Sequence, residues 1–111
     1  MLFKKGVDAA FVRHYVWFAL GVAEAVSQVM GCGPVTITSL RDGKHGVDSR
    51  HYKGLAADIR TRHLTAAQQT EMVNTLKSYL DPLGFDIVLE TDHIHCEFDP
   101  KAGEVFASTV A

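Results

Sequence analysis

Three observations in the sequence predict a small α+β domain, an antiparallel sheet with helices packed on one face. Two stretches, residues 8–30 and 65–80, carry apolar residues at helical spacing. Four shorter stretches read as strands: residues 35–40, 56–60, 85–90 and 93–98. The last two are joined by a turn at Thr91-Asp92, as an antiparallel pair allows. The chain of 111 residues has the length of one domain, with no repeat, linker or second domain within 1–111.

Each element has its own sequence signal. In residues 8–30, Phe11, Tyr15, Phe18, Val22, Val26 and Val29 recur on a broad apolar face, with Arg13, Glu24 and Gln28 near the other side. That breadth predicts a helix largely covered by the rest of the domain, and Gly31, Gly33 and Pro34 stop it. His14 reads as a surface or capping residue. Residues 35–40 alternate β-branched and polar side chains and lead through Arg41 into a glycine-containing loop, 42–49. Thr65-Ala66-Ala67-Gln68 resembles a capping box and opens a second helix, with Met72, Val73, Leu76, Tyr79 and Leu80 as its buried stripe. Asp81-Pro82-Leu83-Gly84 ends that helix, and His63 before it should be exposed. After Asp99-Pro100 the tail contains Gly103 and small residues.

Composition narrows the function. With 47% hydrophobic residues the chain can bury a modest core. Its 11 basic and 13 acidic residues show no basic stripe, which argues against a nucleic-acid partner. Two cysteines, Cys32 and Cys96, are too few for a disulfide framework, and Cys96 has core parity. Lys4 and Lys5 precede an apolar segment, and Ala23-Glu24-Ala25 could pass for a cleavage site. Asp8, Arg13 and His14 interrupt that pattern, and the uncharged run 15–23 is too short to span a bilayer. The helix reading uses the same residues better, so we expect no signal peptide and no membrane span.

The chemistry gathers in two stretches. Ser49-Arg50-His51-Tyr52-Lys53-Gly54-Leu55-Ala56-Ala57-Asp58 sets a histidine and a carboxylate seven positions apart with a glycine between them. Glu90-Thr91-Asp92-His93-Ile94-His95 sets two histidines at alternate positions. Residues two apart on a strand share a face, so His93 and His95 point one way while Ile94, Cys96 and Phe98 point into the core. Gly54 is where the chain turns back, and Ala56 and Ala57 allow close packing. Two imidazoles and a carboxylate converging from separate segments suit zinc, and three protein ligands leave a fourth position open. His51, Asp58 and His95 are the expected ligands. Ser49 is expected to hydrogen-bond backbone or groups that orient the ligands.

The pattern S-x-H-x-x-G-x-A-x-D followed by D-H-x-H resembles the zinc D-Ala-D-Ala carboxypeptidase family, which includes phage peptidoglycan endopeptidases. The same fold and metal site occur in the signalling domain of Hedgehog proteins, which His93-Ile94-His95-Cys96 resembles equally. The similarity runs from about residue 35 to 98. It implies a Hedgehog/DD-peptidase-like fold, a single zinc peptidase-like domain, and hydrolysis of a peptide bond in peptidoglycan stem peptides, by carboxypeptidase or endopeptidase action. The peptidase relatives carry their base three positions before the second histidine, which is Asp92 here; Glu90, five before, is the reserve. His93 would hydrogen-bond the tetrahedral intermediate or the base. An arginine soon after the first strand of the motif holds substrate in these relatives, and Arg41 is its counterpart, although T-S-L-R shortens the usual T-S-G-Y-R spacing. Lys44 and His45 could supply the same contact.

The resemblance further implies a monomer of phage or prophage origin, made in the cytoplasm and brought to the bacterial cell wall or periplasm by a holin or on the virion. The rival expectation is a non-catalytic binding or virion structural module of the same fold that keeps zinc, or one that has lost it.

Overall fold

The computed structural model describes residues 1–42, 51 and 53–100. Lys44, His45, Ser49 and the tail from Lys101 lie outside the described residues. Seven elements follow in order: β1 (Leu2–Phe3), α1 (His14–Val29), β2 (Thr36–Ser39), β3 (Ala56–Arg60), α2 (Ala66–Leu80), β4 (Phe85–Leu89) and β5 (His93–Phe98), with a short 3-10 turn at Asp81–Leu83. The five strands form one sheet in the order β1-β2-β3-β5-β4.

The sheet is mixed rather than wholly antiparallel. β1 runs parallel to β2, pairing Leu2 with Thr36 and Phe3 with Ile37, and the other three pairings are antiparallel. Two residues are too few to show a strand period, so β1 is invisible to pattern reading. It is fixed by tertiary bonds: the Leu2 N–H donates to the Val35 carbonyl and the Lys4 N–H to the Ile37 carbonyl, each at 2.8 Å. The N-terminal ammonium pairs with the Glu24 carboxylate on α1, which holds that carboxyl below its usual range.

α1 starts six residues later than the apolar pattern suggests, at His14 rather than near Asp8. Residues before it are drawn into other bonds. The Asp8 carboxylate accepts from the Ala10 N–H at 3.0 Å, a local turn that competes with helix. The Asp8 N–H donates to the Asp42 carboxylate, and the Arg41 N–H donates to the Asp8 carbonyl. Phe11 adopts a left-handed φ of 58°.

The buried stripe of α1 is also rotated from expectation. Val16, Ala19, Leu20, Ala23 and Val26 are buried, whereas Phe11, Phe18 and Val29 are exposed. Small Ala19 and Ala23 let the helix approach closely, and the bulkier side chains are left at its flanks. On α2, Met72, Leu76 and Leu80 are buried as expected, but Tyr79 is exposed. Phe18, Val29 and Tyr79 instead line an open apolar groove of about 560 Å³ between the helices.

The remaining local signals act as read. Thr65 caps α2, its hydroxyl accepting from the Gln68 N–H at 3.1 Å while the Gln68 side chain accepts from the Thr65 N–H at 2.9 Å. Gly84, at φ 94°, ends the 3-10 turn and starts β4. Both helices bury their apolar faces on one side of the sheet, against Ile37, Ala57, Ile59, Ile87, Ile94, Cys96 and Phe98. Both cysteines are free thiols, and burial pushes Cys96 up to about 12. Among the described residues, no helix is long and apolar enough to cross a membrane.

Candidate metal centre

The side of the sheet away from the helices carries the polar residues of β3 and β5. Along β5 burial alternates: Ile94, Cys96 and Phe98 are buried, and His93, His95 and Glu97 are half-buried on the other face. The antiparallel register sets Asp58 opposite His95 and Arg60 opposite His93. Asp58 and His95 therefore meet as a direct cross-strand pair.

His51 arrives from outside the sheet. It is 3% exposed, and its Nδ1 lies 2.5 Å from the carbonyl oxygen of Leu40. A carbonyl only accepts, so Nδ1 carries the proton and Nε2 is turned towards Asp58. The turn that delivers it depends on Gly54. At φ 72° this residue occupies a backbone region that favours glycine, and a Cβ there would stand 2.4 Å from the Phe11 carbonyl oxygen. The Gly54 N–H donates to the His51 carbonyl at 3.0 Å, and the Gly54 carbonyl accepts from the Arg13 N–H at 2.8 Å. The segment before α1 and the His51 turn thus brace one another.

At the centre is a single carboxylate oxygen. Asp58 Oδ1 lies 2.9 Å from His95 Nδ1, 3.2 Å from His51 Nε2 and 3.6 Å from His93 Nε2. Burial by itself would raise this carboxyl, but hydrogen bonds from His51 and His95 outweigh it and hold Asp58 far below the usual carboxylate range. The reciprocal effect appears on His95. Its hydrogen bond to Asp58 exceeds the opposing effect of burial and, with a second bond to Glu97, raises the imidazole to about 9. The group is a single carboxylate flanked by three imidazole rings.

Among the described residues, His51, Asp58 and His95 each offer one donor atom, and the three atoms lie within 4.8 Å of one another. This buried group could hold a metal ion. Both rings have their remote nitrogens occupied: His51 by the Leu40 carbonyl, His95 by Glu97 Oε1 at 2.8 Å. Glu97 is the site residue that sequence reading passed over. The alternation that set His93 and His95 on one face also sets Glu97 there, so the signal was present one step further along β5.

The other expected residues fall at different distances from this group. His93 Nδ1 lies 2.5 Å from Asp92 Oδ1, so Asp92 reaches the cluster through His93. Asp92 itself is exposed at the turn, and the His93 contact lowers its carboxyl. Glu90 is held in the same turn by its backbone, its N–H donating to the His93 carbonyl at 2.8 Å. Arg41 follows Leu40 directly, but its described side-chain contacts lead to the N-terminal segment: Nη1 donates to the Ala10 carbonyl at 3.2 Å, and the guanidinium carbon lies 5.5 Å from the Phe11 ring centroid.

No known family model matches this chain, and no curated protein matches it in sequence.

Proposed function

We propose that this protein is a zinc-dependent hydrolase of peptidoglycan stem peptides, acting as a D,D-carboxypeptidase or an endopeptidase. The observation that carries the reading is the convergence of His51, Asp58 and His95 with an acid, Asp92, one imidazole away. Two nitrogens and one carboxylate oxygen make a donor set suited to zinc. Neighbouring donors of a tetrahedral zinc lie roughly 3.3–3.6 Å apart, given bonds of about 2.0–2.2 Å. The Asp58 oxygen lies 3.2 and 2.9 Å from the two nitrogens, close to that spacing. The resemblance of the two half-motifs to the carboxypeptidase and phage endopeptidase family supplies the substrate class, and with it action at the bacterial cell wall.

When bound, zinc supplies a Lewis acid that polarises the scissile carbonyl. The remaining work belongs to side chains. Asp92 accepts a proton from the attacking water, and as the C–N bond breaks that proton passes to the leaving amine. His93 holds the base, Asp92, through Nδ1. Arg41, once released from the Ala10 carbonyl, binds a substrate carboxylate or carbonyl oxygen.

One observation favours a second reading, a metal-containing binding module without turnover. The Asp92 side chain is 83% exposed and joined to the cluster through His93. Mass spectrometry of products from defined muropeptides, with zinc present, separates the two. Removal of a terminal D-Ala or cleavage within the stem is expected, with Asp92→Ala slower by about 10²–10⁴-fold and still metal-loaded. A metal-loaded wild-type protein as inert as Asp92→Ala removes the hydrolase reading.

A further inference from the structure

We infer that Glu97 is a positioning residue that selects Nδ1 of His95 as the metal-facing nitrogen. The inference rests on the metal-holding part of the proposed function, not on hydrolysis. Its basis is the geometry of one ring between two carboxylates: His95 Nδ1 lies 2.9 Å from Asp58 Oδ1, and His95 Nε2 lies 2.8 Å from Glu97 Oε1. A neutral imidazole carries one N–H, and a carboxylate can only accept. With a metal at Nδ1 the ring would keep its one N–H at Nε2, where Glu97 accepts it, and the Nδ1 lone pair would face the centre shared with Asp58 and His51.

His51 is set the opposite way. Its Nδ1–H donates to the Leu40 carbonyl, so it presents Nε2. The two rings, 5.1 Å apart between centroids, thus offer different nitrogens to one centre. A backbone carbonyl held by the fold performs this task for His51, which is buried. His95 is half-buried on an open sheet face, where nothing in a strand's own backbone can reach the ring's far nitrogen. Glu97 can, because residues two apart on β5 project side by side. Glu97 acts on the far side of the ring from Asp58, and so orients a ligand rather than serving as one. Losing its acceptor would let the ring exchange tautomers or flip and would remove the partner that raises the basicity of the ligating nitrogen.

The test compares wild type, Glu97→Ala and Glu97→Gln by zinc titration against a competing chelator. Long-range proton–nitrogen NMR of the His95 ring in the zinc-loaded proteins supplies a second readout. Glu97→Ala should bind one ion about 10–100-fold more weakly, the cost typical of losing a ligand's outer hydrogen-bond partner, and its His95 ring should show mixed tautomers. Glu97→Gln keeps an oxygen acceptor and should recover most of the affinity and the Nε2–H tautomer. Wild-type affinity with an intact Nε2–H tautomer in Glu97→Ala overturns the inference. So does a Glu97→Gln protein as weak as Glu97→Ala, since that would make the charge, or direct ligation, the point. A wild-type protein that takes up no zinc overturns this inference and the proposed function together. Wild type that binds zinc but leaves muropeptides intact removes the hydrolase alone, because the affinities of the three proteins decide the role of Glu97 without turnover.

Discussion

The two faces of β5 use alternate residues of the same six-residue strand for opposite purposes. Ile94, Cys96 and Phe98 enter the core beneath the helices, while His93, His95 and Glu97 face the other way and build the polar site. On the core face, contacts are apolar and many, and shape decides the fit. On the site face a few contacts carry everything: one Asp58 oxygen serves three imidazoles, and each imidazole has a definite partner on its other nitrogen. Because the faces share a backbone ladder, the rigidity of the core is passed to the site. Asp58 and His95 meet because the register pairs them, and that register is held where Ala57 faces Cys96 and Ile59 faces Ile94.

The largest effect on the site face is expected from Asp58→Asn. It changes one atom and one charge at the point where the imidazoles converge. Metal affinity should fall by more than the roughly 100-fold upper cost of losing an outer partner, while circular dichroism shows an unchanged fold. Retained tight binding would mean that the three donors do not act as one site.

The complementary change is Ile94→Ala. Ile94 is fully buried on the core face. Its truncation should cost about 2–5 kcal/mol in a denaturant titration of the metal-free protein, yet the folded fraction should still bind metal with nearly wild-type affinity. Loss of metal without loss of stability would show that the faces are not separable in this way.

A smaller effect is expected from pH. In the metal-free protein the Asp58 carboxyl is held below its ordinary 3.8, so its contribution to stability is present above that value and lost as pH falls through the folded-state value. His95 is raised from 6.5 to about 9, so its contribution is complete below 6.5 and lost as pH rises towards 9. The site face should therefore stabilise the metal-free fold most between about 4 and 6.5, with a decline on the alkaline side. Asp58→Asn should flatten that alkaline decline, and Ile94→Ala should shift the whole curve without changing its shape. Thermal melts across this range check both.

Much of the architecture is legible in residue order because its signals are local. The Thr65–Gln68 capping box, the Gly84 turn and the alternation of β5 are read within a few residues of one another, and all three form as expected. The face of α1 is not legible in this way. Its sequence is apolar most of the way round, so periodicity alone favours the large residues Phe18 and Val29, whereas packing selects Ala19 and Ala23. The late start of α1 has a related cause, since Asp8 and Arg13 find partners far along the chain, at Asp42 and Gly54.

Residue order alone fixes the inventory and its parity: which residues could ligate, and which side of each strand they occupy, because strand geometry sets the latter over two residues. Which nitrogen each histidine presents, and which acid stands behind it, follows from long-range packing. Those choices depend on Leu40, Glu97 and Asp92 meeting particular ring atoms. A hydrogen bond of about 2.9 Å is set by the packing of whole strands and loops, and no spacing along the chain encodes it.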